Sequence, residues 1–390
     1  METSKSTKFR RFLLATVAVG FALFLVELPA LIDVLDYRTL IGPTHAWWAP
    51  NIFDPELLHV HRAHAHQVGA SLGGDAASLF QIPRADMTRY QWDVKYDQNG
   101  FRNQIDLESA DMVVIGDSFV EGLTVRNEQL MTSVLAQLRS EVVANLGQSA
   151  YGPLEELVVL KRYGLPLRPR TVVWMFFEGN DLGDVTGYQQ AMRKKPNLWR
   201  AFVARSFTRS ALYEIRYLIS PPAKRSGTRR SAVLQIPNGQ QAPVYFIYPS
   251  KPLAKEDLTA LDDTANTLAN AYRLLAAHGT RLVFVFVPSK FRVFHQFCRF
   301  PPESECRDWA PNDMSERLEN AIAAISPDIG FLDLTPRLVD AVKRRILPYY
   351  PDDEHWSPEG HRIAAEAVNE YLLDARHGTV TAEQTTQQDF

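Results

Sequence analysis

Cysteine is scarce: 390 residues hold only Cys298 and Cys306, and no C-x-x-C pair. Two thiols without a second pair exclude a disulfide-built scaffold and make a poor zinc site. They bracket the Pro-rich stretch Phe300-Pro301-Pro302-Glu303-Ser304-Glu305, where an oxidising compartment would permit one local bridge. Positive charge is not in excess either. A formal net charge of −3 lacks the signature of a general nucleic-acid binder, and no nucleic-acid partner is expected. The chain has no G-x-x-x-x-G-K-[ST] loop for nucleotide phosphates and no G-x-S-x-G elbow of the α/β-hydrolase kind. No motif asks for a cofactor or metal, and none is expected.

The hydrophobic content, 46%, is enough for one large domain or two modest ones. Lys5, Lys8, Arg10 and Arg11 precede an apolar run from Phe12 that reaches Ile32, about the ~20 residues a membrane-spanning helix needs. The basic flank predicts a cytoplasmic N-terminus and an exported remainder. No small-x-small cleavage site follows, so an uncleaved anchor over 12–34 is favoured over a signal peptide. The expected organisation is a basic tail (1–11), the anchor, a linker or accessory segment (35–95), a main domain (96–375) and a disordered polar tail (376–390).

In the accessory segment His59, His61, His64 and His66 crowd together without nearby carboxylate support, which reads as surface histidine rather than a metal site. From residue 111 strand and helix patterns alternate. Strands are predicted at Met112–Ile115, Val142–Asn145, Thr171–Phe177, Leu282–Val287 and Gly330–Leu334. Helical stripes run through Leu130, Met131, Val134, Leu135 and Leu138, through 258–277, and through Ala364, Ala367, Val368, Tyr371 and Leu372. Strands without polar alternation are buried on both faces, so the expected fold class is α/β: a three-layer α/β/α sandwich around a mostly parallel five-stranded sheet. One insertion, 184–256, holds 13 Lys or Arg against Asp184, Glu214 and Glu256. Trp199, Phe202, Val203 and Phe207, interleaved with Arg200, Arg205 and Arg209, predict an amphipathic helix in it. A cap or lid meeting an anionic substrate or the membrane surface is the expectation for this segment.

Candidate chemistry lies at the carboxyl ends of the strands, where open α/β sheets bind ligands. Ser118 follows the first strand in Gly116-Asp117-Ser118, as a helix cap or a nucleophile. Asn145-Leu146-Gly147-Gln148-Ser149-Ala150 offers backbone N–H groups after the second. Gly179-Asn180-Asp181 follows the third, and Asp352-Asp353-Glu354-His355 precedes the last helix.

In that order these four blocks resemble the SGNH (GDSL-type) hydrolase superfamily over roughly 96–374, with a likeness to its alginate O-acetylation-like branch and to membrane-anchored members. The resemblance implies the flavodoxin-like SGNH fold, Ser118 as nucleophile, His355 as base and an Asp orienting the imidazole. It also implies Asn180 as an oxyanion donor, joined by backbone N–H groups. The family's oxyanion glycine falls on Ala150, with Gly147 three residues earlier; alanine offers the same N–H at negative φ. Spacing leaves two candidates for the acid, Asp352 and Asp353. The expected function is a membrane-anchored, outward-facing serine esterase or O-acyltransferase acting on ester groups, O-acetyl foremost, of a cell-envelope or exopolysaccharide sugar. Its partners would be an acylated carbohydrate or other ester and, through the N-terminal helix, the membrane. A lipid esterase and an inactive carbohydrate-binding or assembly protein are the alternatives.

Overall fold

Five short apolar runs pair into one parallel sheet, because each is flanked by a crossover long enough to return the chain to the same end of the sheet. A computed structural model describes residues 2–32, 34–41, 51–193, 198–220, 225–236 and 239–386. The strands are β1 (Met112–Gly116), β2 (Val143–Gly147), β3 (Thr171–Phe177), β4 (Arg281–Val287) and β5 (Gly330–Asp333), in spatial order β5-β4-β3-β1-β2. Every pairing is parallel, with Val113 opposite Val172 and Phe284 opposite Trp174.

Successive residues on these strands enter two different cores. Val114, Val173, Met175, Val283 and Val285 join one. Its other wall comes from α1 (Met131–Arg139), α6 (Thr335–Lys343) and α7 (Pro358–Thr386). Val113, Val172, Trp174, Phe284 and Phe286 join the other, with α2 (Pro153–Val159), α4 (Lys255–Ala276) and α5 (Met314–Ile325); α3 (Asp181–Arg193) follows β3. Burial on both faces is why the strands lack polar alternation, and each fully buried aliphatic contributes about 1.5–3 kcal/mol. Leu138 departs from the expected stripe and is exposed.

The chain divides into two compact units, 1–51 with 194–223, and 52–193 with 224–390. In the first, a helix spans Glu2–Leu31, and its Phe9–Leu31 stretch is long and apolar enough to cross a membrane, with mean hydropathy 2.2. The single amphipathic helix expected around Trp199 is two, Leu198–Arg205 and Phe207–Ile219, because the Ser206 hydroxyl caps the second by accepting from Arg209 N. Glu27 accepts from Phe207 N (2.9 Å) and Thr208 N (2.7 Å), joining that cap to the apolar helix. The 184–256 insertion is therefore not one cap. Its start extends α3, its middle belongs to the first unit, and its end returns as the hairpin Ser231–Gln235 with Gln241–Tyr245.

Two boundaries move. The second unit starts at 52 rather than 96, because His66–Leu72 and Arg89–Lys95 form an antiparallel pair whose Tyr90, Trp92 and Val94 are buried. α7 continues to Thr386, through the tail expected to be disordered, since no proline follows Pro358 to stop it.

Candidate active site

β1 ends at Gly116, and Asp117 then caps a single helical turn, Ser118–Glu121, by accepting from Phe119 N at 2.9 Å. This places Ser118 at the first helical position, among the amides that a helix leaves unpaired. Across the site the loop before α7 delivers His355. Its Nε2 lies 2.8 Å from Ser118 Oγ, and its Nδ1 lies 2.7 Å from Asp353 Oδ1, which also accepts the His355 backbone N–H at 2.8 Å. The Phe119 ring lies 5.2 Å from the imidazole centroid. Burial opposes charge on His355, but Asp75 and Asp353 outweigh it and hold the imidazole well above its ordinary value. Asp353 is likewise lowered despite burial, through His355.

Asp352 faces elsewhere. Its carboxylate accepts from Gly74 N (3.1 Å), Thr88 N (2.8 Å) and Tyr90 OH (2.9 Å). Of the two spacings, only that of Asp353 brings a carboxylate to the imidazole.

Asn180, after β3, donates from Nδ2 to Asp184, and its side chain also hydrogen-bonds Asp117, so two carboxyl groups orient the amide. Gly147 does not offer a donor, because its N–H goes to Asn145 Oδ1 at 3.0 Å. Its lack of a side chain serves packing instead: a Cβ would lie 2.5 Å from both Glu121 N and Val120 Cβ. Ala150 has φ +65°, not the negative value expected, so an alanine holds the left-handed conformation of a glycine position. Its N–H has no partner among the described residues.

Residues 247–389 match a family model described as an SGNH hydrolase-like domain, acetyltransferase AlgX. That C-terminal stretch is SGNH hydrolase-like. Among curated proteins none matches the chain. Solved structures similar to this chain include a catalytic mutant of Axe2, an acetylxylan esterase from Geobacillus stearothermophilus, at 13% identity, TM-score 0.37, covering 68% of this chain and 95% of that one. They also include the acetyl xylan esterase Est2A from Butyrivibrio proteoclasticus, at 9% identity, TM-score 0.36, covering 76% of each chain. A GDSL-like lipase from Bacteroides thetaiotaomicron is similar at 14% identity, TM-score 0.34, covering 68% and 88%.

Several polar groups around the site escape sequence patterning. The fully buried Lys290 donates from Nζ to Asp353 O (2.7 Å), Tyr350 O and Pro351 O (both 3.3 Å), tying down the loop that holds His355. Asp117, Glu156 and Asp181 are buried, and each keeps one carboxylate oxygen without a partner. Burial pushes Asp117 and Asp184 up to about 6 and Glu155 up to about 8, and raises Glu156 and Asp181 well above the usual range.

The four histidines separate. His61 is buried with Nε2 2.8 Å from Glu121 Oε1, and His59 Nε2 lies 3.0 Å from Ser149 O. His66 pairs with Asp93 at 2.6 Å, and His64 is exposed. Glu121 Oε2 in turn accepts from Ser149 N (2.7 Å) and Ser149 Oγ (2.5 Å), so this network holds the turn that leads to Ala150. Among the described residues the group whose ligand atoms converge enough for a metal is Asp75, Asp353 and His355, within 4.8 Å of one another. There Nδ1 is already bonded to Asp353. Cys298 and Cys306 are free thiols.

Proposed function

We propose that this protein is a membrane-anchored, outward-facing serine esterase or O-acyltransferase that works on ester groups, O-acetyl foremost, of a cell-envelope or exopolysaccharide sugar. The observation that carries this reading is the unbroken relay Ser118 Oγ, His355, Asp353, with contacts of 2.8 and 2.7 Å. Asp353 fixes the Nδ1–H tautomer, leaving Nε2 to take the hydroxyl proton as Oγ attacks the ester carbonyl. The negative charge that develops on the carbonyl oxygen is met by the Ser118 N–H, the Ala150 N–H and the Asn180 side-chain amide, and one such donor is typically worth about 2.7–4 kcal/mol. Collapse passes the proton from Nε2 to the leaving alkoxide and leaves an acyl group on Ser118. Water or a sugar hydroxyl, deprotonated by the same Nε2, then takes the acyl group and frees the serine. Hydrolysis and transfer thus share every residue and differ only in the acceptor.

The match to an acetyltransferase-type domain supports acetyl as the acyl group, and the apolar Phe9–Leu31 helix after a basic flank supports anchoring with the domain outside. A fluorophosphonate probe tests the chemistry. Full-length protein in detergent should be labelled and Ser118→Ala should not; absence of labelling in folded protein would refute a serine enzyme and favour a binding role. Incubation with acetylated and deacetylated polysaccharides, with release or transfer of acetate followed, then tests the acceptor.

A further inference from the structure

Asp352 and Asp353 do more than divide between two partners, because together they grip a loop from the accessory segment. Three successive amides of that loop donate to them: Gly74 N to Asp352 Oδ2 (3.1 Å), Asp75 N to Asp353 Oδ2 (3.0 Å) and Ala76 N to Asp352 O (3.2 Å). The approach is so close that a Cβ on Gly74 would sit 2.4 Å from Asp353 Oδ2. Held this way, the Asp75 side chain brings Oδ2 to 3.2 Å from His355 Nδ1, the nitrogen that Asp353 Oδ1 meets at 2.7 Å. One N–H therefore faces two acids, one buried and one 44% exposed.

We propose that Asp75 is a second positioning acid for His355, so that the accessory segment completes the Ser118 site rather than merely linking it to the anchor. This rests on the reading of Ser118 and His355 as nucleophile and base. The imidazole gains a full positive charge when it takes the serine proton, and a second carboxylate at 3.2 Å stabilises that cation and makes Nε2 the stronger base. The cost falls on the resting enzyme, where the same carboxylate resists loss of the proton and moves the onset of activity to higher pH.

The other charged groups facing His355 do not substitute for it. Asp353 lies on the same loop, Asp117 follows β1 and feels the imidazole charge, and His361 on α7 is held neutral by burial, at about 3. Lys290, below the loop, feels Asp75, Asp353, Asp352 and Glu354 together. The loop itself is held by its backbone, so replacing the Asp75 side chain leaves all three amide bonds in place. That separates a positioning role from a structural one.

The test is the pH dependence of fluorophosphonate labelling rates on full-length wild type, Asp75→Asn, Asp75→Glu and Ser118→Ala. The expected result is that Asp75→Asn moves the acid limb down by about 0.5–1 pH unit, an exposed partner shifting less than the 1–3 units of a buried one. Its plateau rate should fall about 3–10-fold, and Asp75→Glu should restore part of both. If the Asp75→Asn profile superimposes on wild type, or falls uniformly with an unmoved limb, the proposal is overturned while the Ser118 reading stands. If wild type itself is labelled no faster than Ser118→Ala at any pH, both fall together.

Discussion

Replacing Asp352 and Asp353 one at a time by asparagine should damage the protein in opposite ways. Asp353 Oδ1 accepts both N–H groups of His355, at 2.8 and 2.7 Å. In Asp353→Asn the amide presents either an oxygen without charge or an NH2 group that favours the wrong imidazole tautomer. The expected loss is about 10²–10⁴-fold in kcat, or ~3–5.5 kcal/mol of barrier at 1.36 kcal/mol per decade, towards the lower end if Asp75 still holds Nδ1. Asp352 accepts three bonds in full burial, from Gly74 N, Thr88 N and Tyr90 OH. An asparagine oxygen there keeps the two amide donors, which share Oδ2, and turns its NH2 toward Tyr90 OH, and one lost bond to a charged acceptor is worth about 1.5–3 kcal/mol. Asp352→Asn should thus lower stability by ~1.5–3 kcal/mol while kcat of the folded fraction stays within about tenfold. Urea or thermal unfolding beside 4-nitrophenyl acetate turnover in detergent measures both quantities. The division of labour would be refuted if Asp352→Asn cut kcat as deeply as Asp353→Asn with its unfolding midpoint unchanged.

Ala150→Gly should stabilise by up to about 1 kcal/mol with turnover retained, because relief of ~1–2 kcal/mol of left-handed strain exceeds the ~0.4–1 kcal/mol of extra freedom given to the unfolded chain; a drop in the unfolding midpoint would contradict it. Glu155 is held at about 8 against an ordinary 4.5, so the folded state binds the extra proton between those values and stability falls as pH rises through that window, by up to ~1.4 kcal/mol per unit. Glu155→Gln should flatten that slope in unfolding measured from pH 5 to 8. Lys290→Met should cost about 3–5 kcal/mol, since it leaves the Asp353, Tyr350 and Pro351 carbonyls and the buried Glu354 without their cation, and calorimetry would register it as a lower Tm.

The parallel sheet was legible because its signal is local: five apolar runs separated by helical periods leave few alternatives, and β1 to β5 lie within a few residues of the expected strands. The serine, asparagine and histidine blocks were legible for a similar reason, since each sits at a strand or helix terminus that punctuates the pattern. Asp75 had no such marker. It lies in Gly73-Gly74-Asp75, an ordinary turn by composition, and only pairing 278 residues apart makes it part of the site. The basic insertion misled for the same reason, because charge counting runs along the chain, whereas 198–219 packs with the N-terminal helix and 231–245 with the main domain. Ala150 shows a third limit: a residue with a Cβ conceals the positive φ that a glycine would have advertised.

The ionisable groups of the site sort into two environments. Beside the imidazole stand Asp353 and Asp75, an acid held low by His355 and one open to solvent. Around Asn180 stand Asp117, Asp181, Glu156 and Asp184, all raised by burial and, apart from His355 acting on Asp117, without a cation to relieve them. In the proposed reaction positive charge would develop on the imidazole and negative charge on the carbonyl oxygen that Asn180 would meet. Asp353 is held as the anion where the cation forms, and burial drives the carboxyl groups near Asn180 toward the neutral form. Two populations of the same side chain are thereby shifted in opposite directions through burial and partners alone.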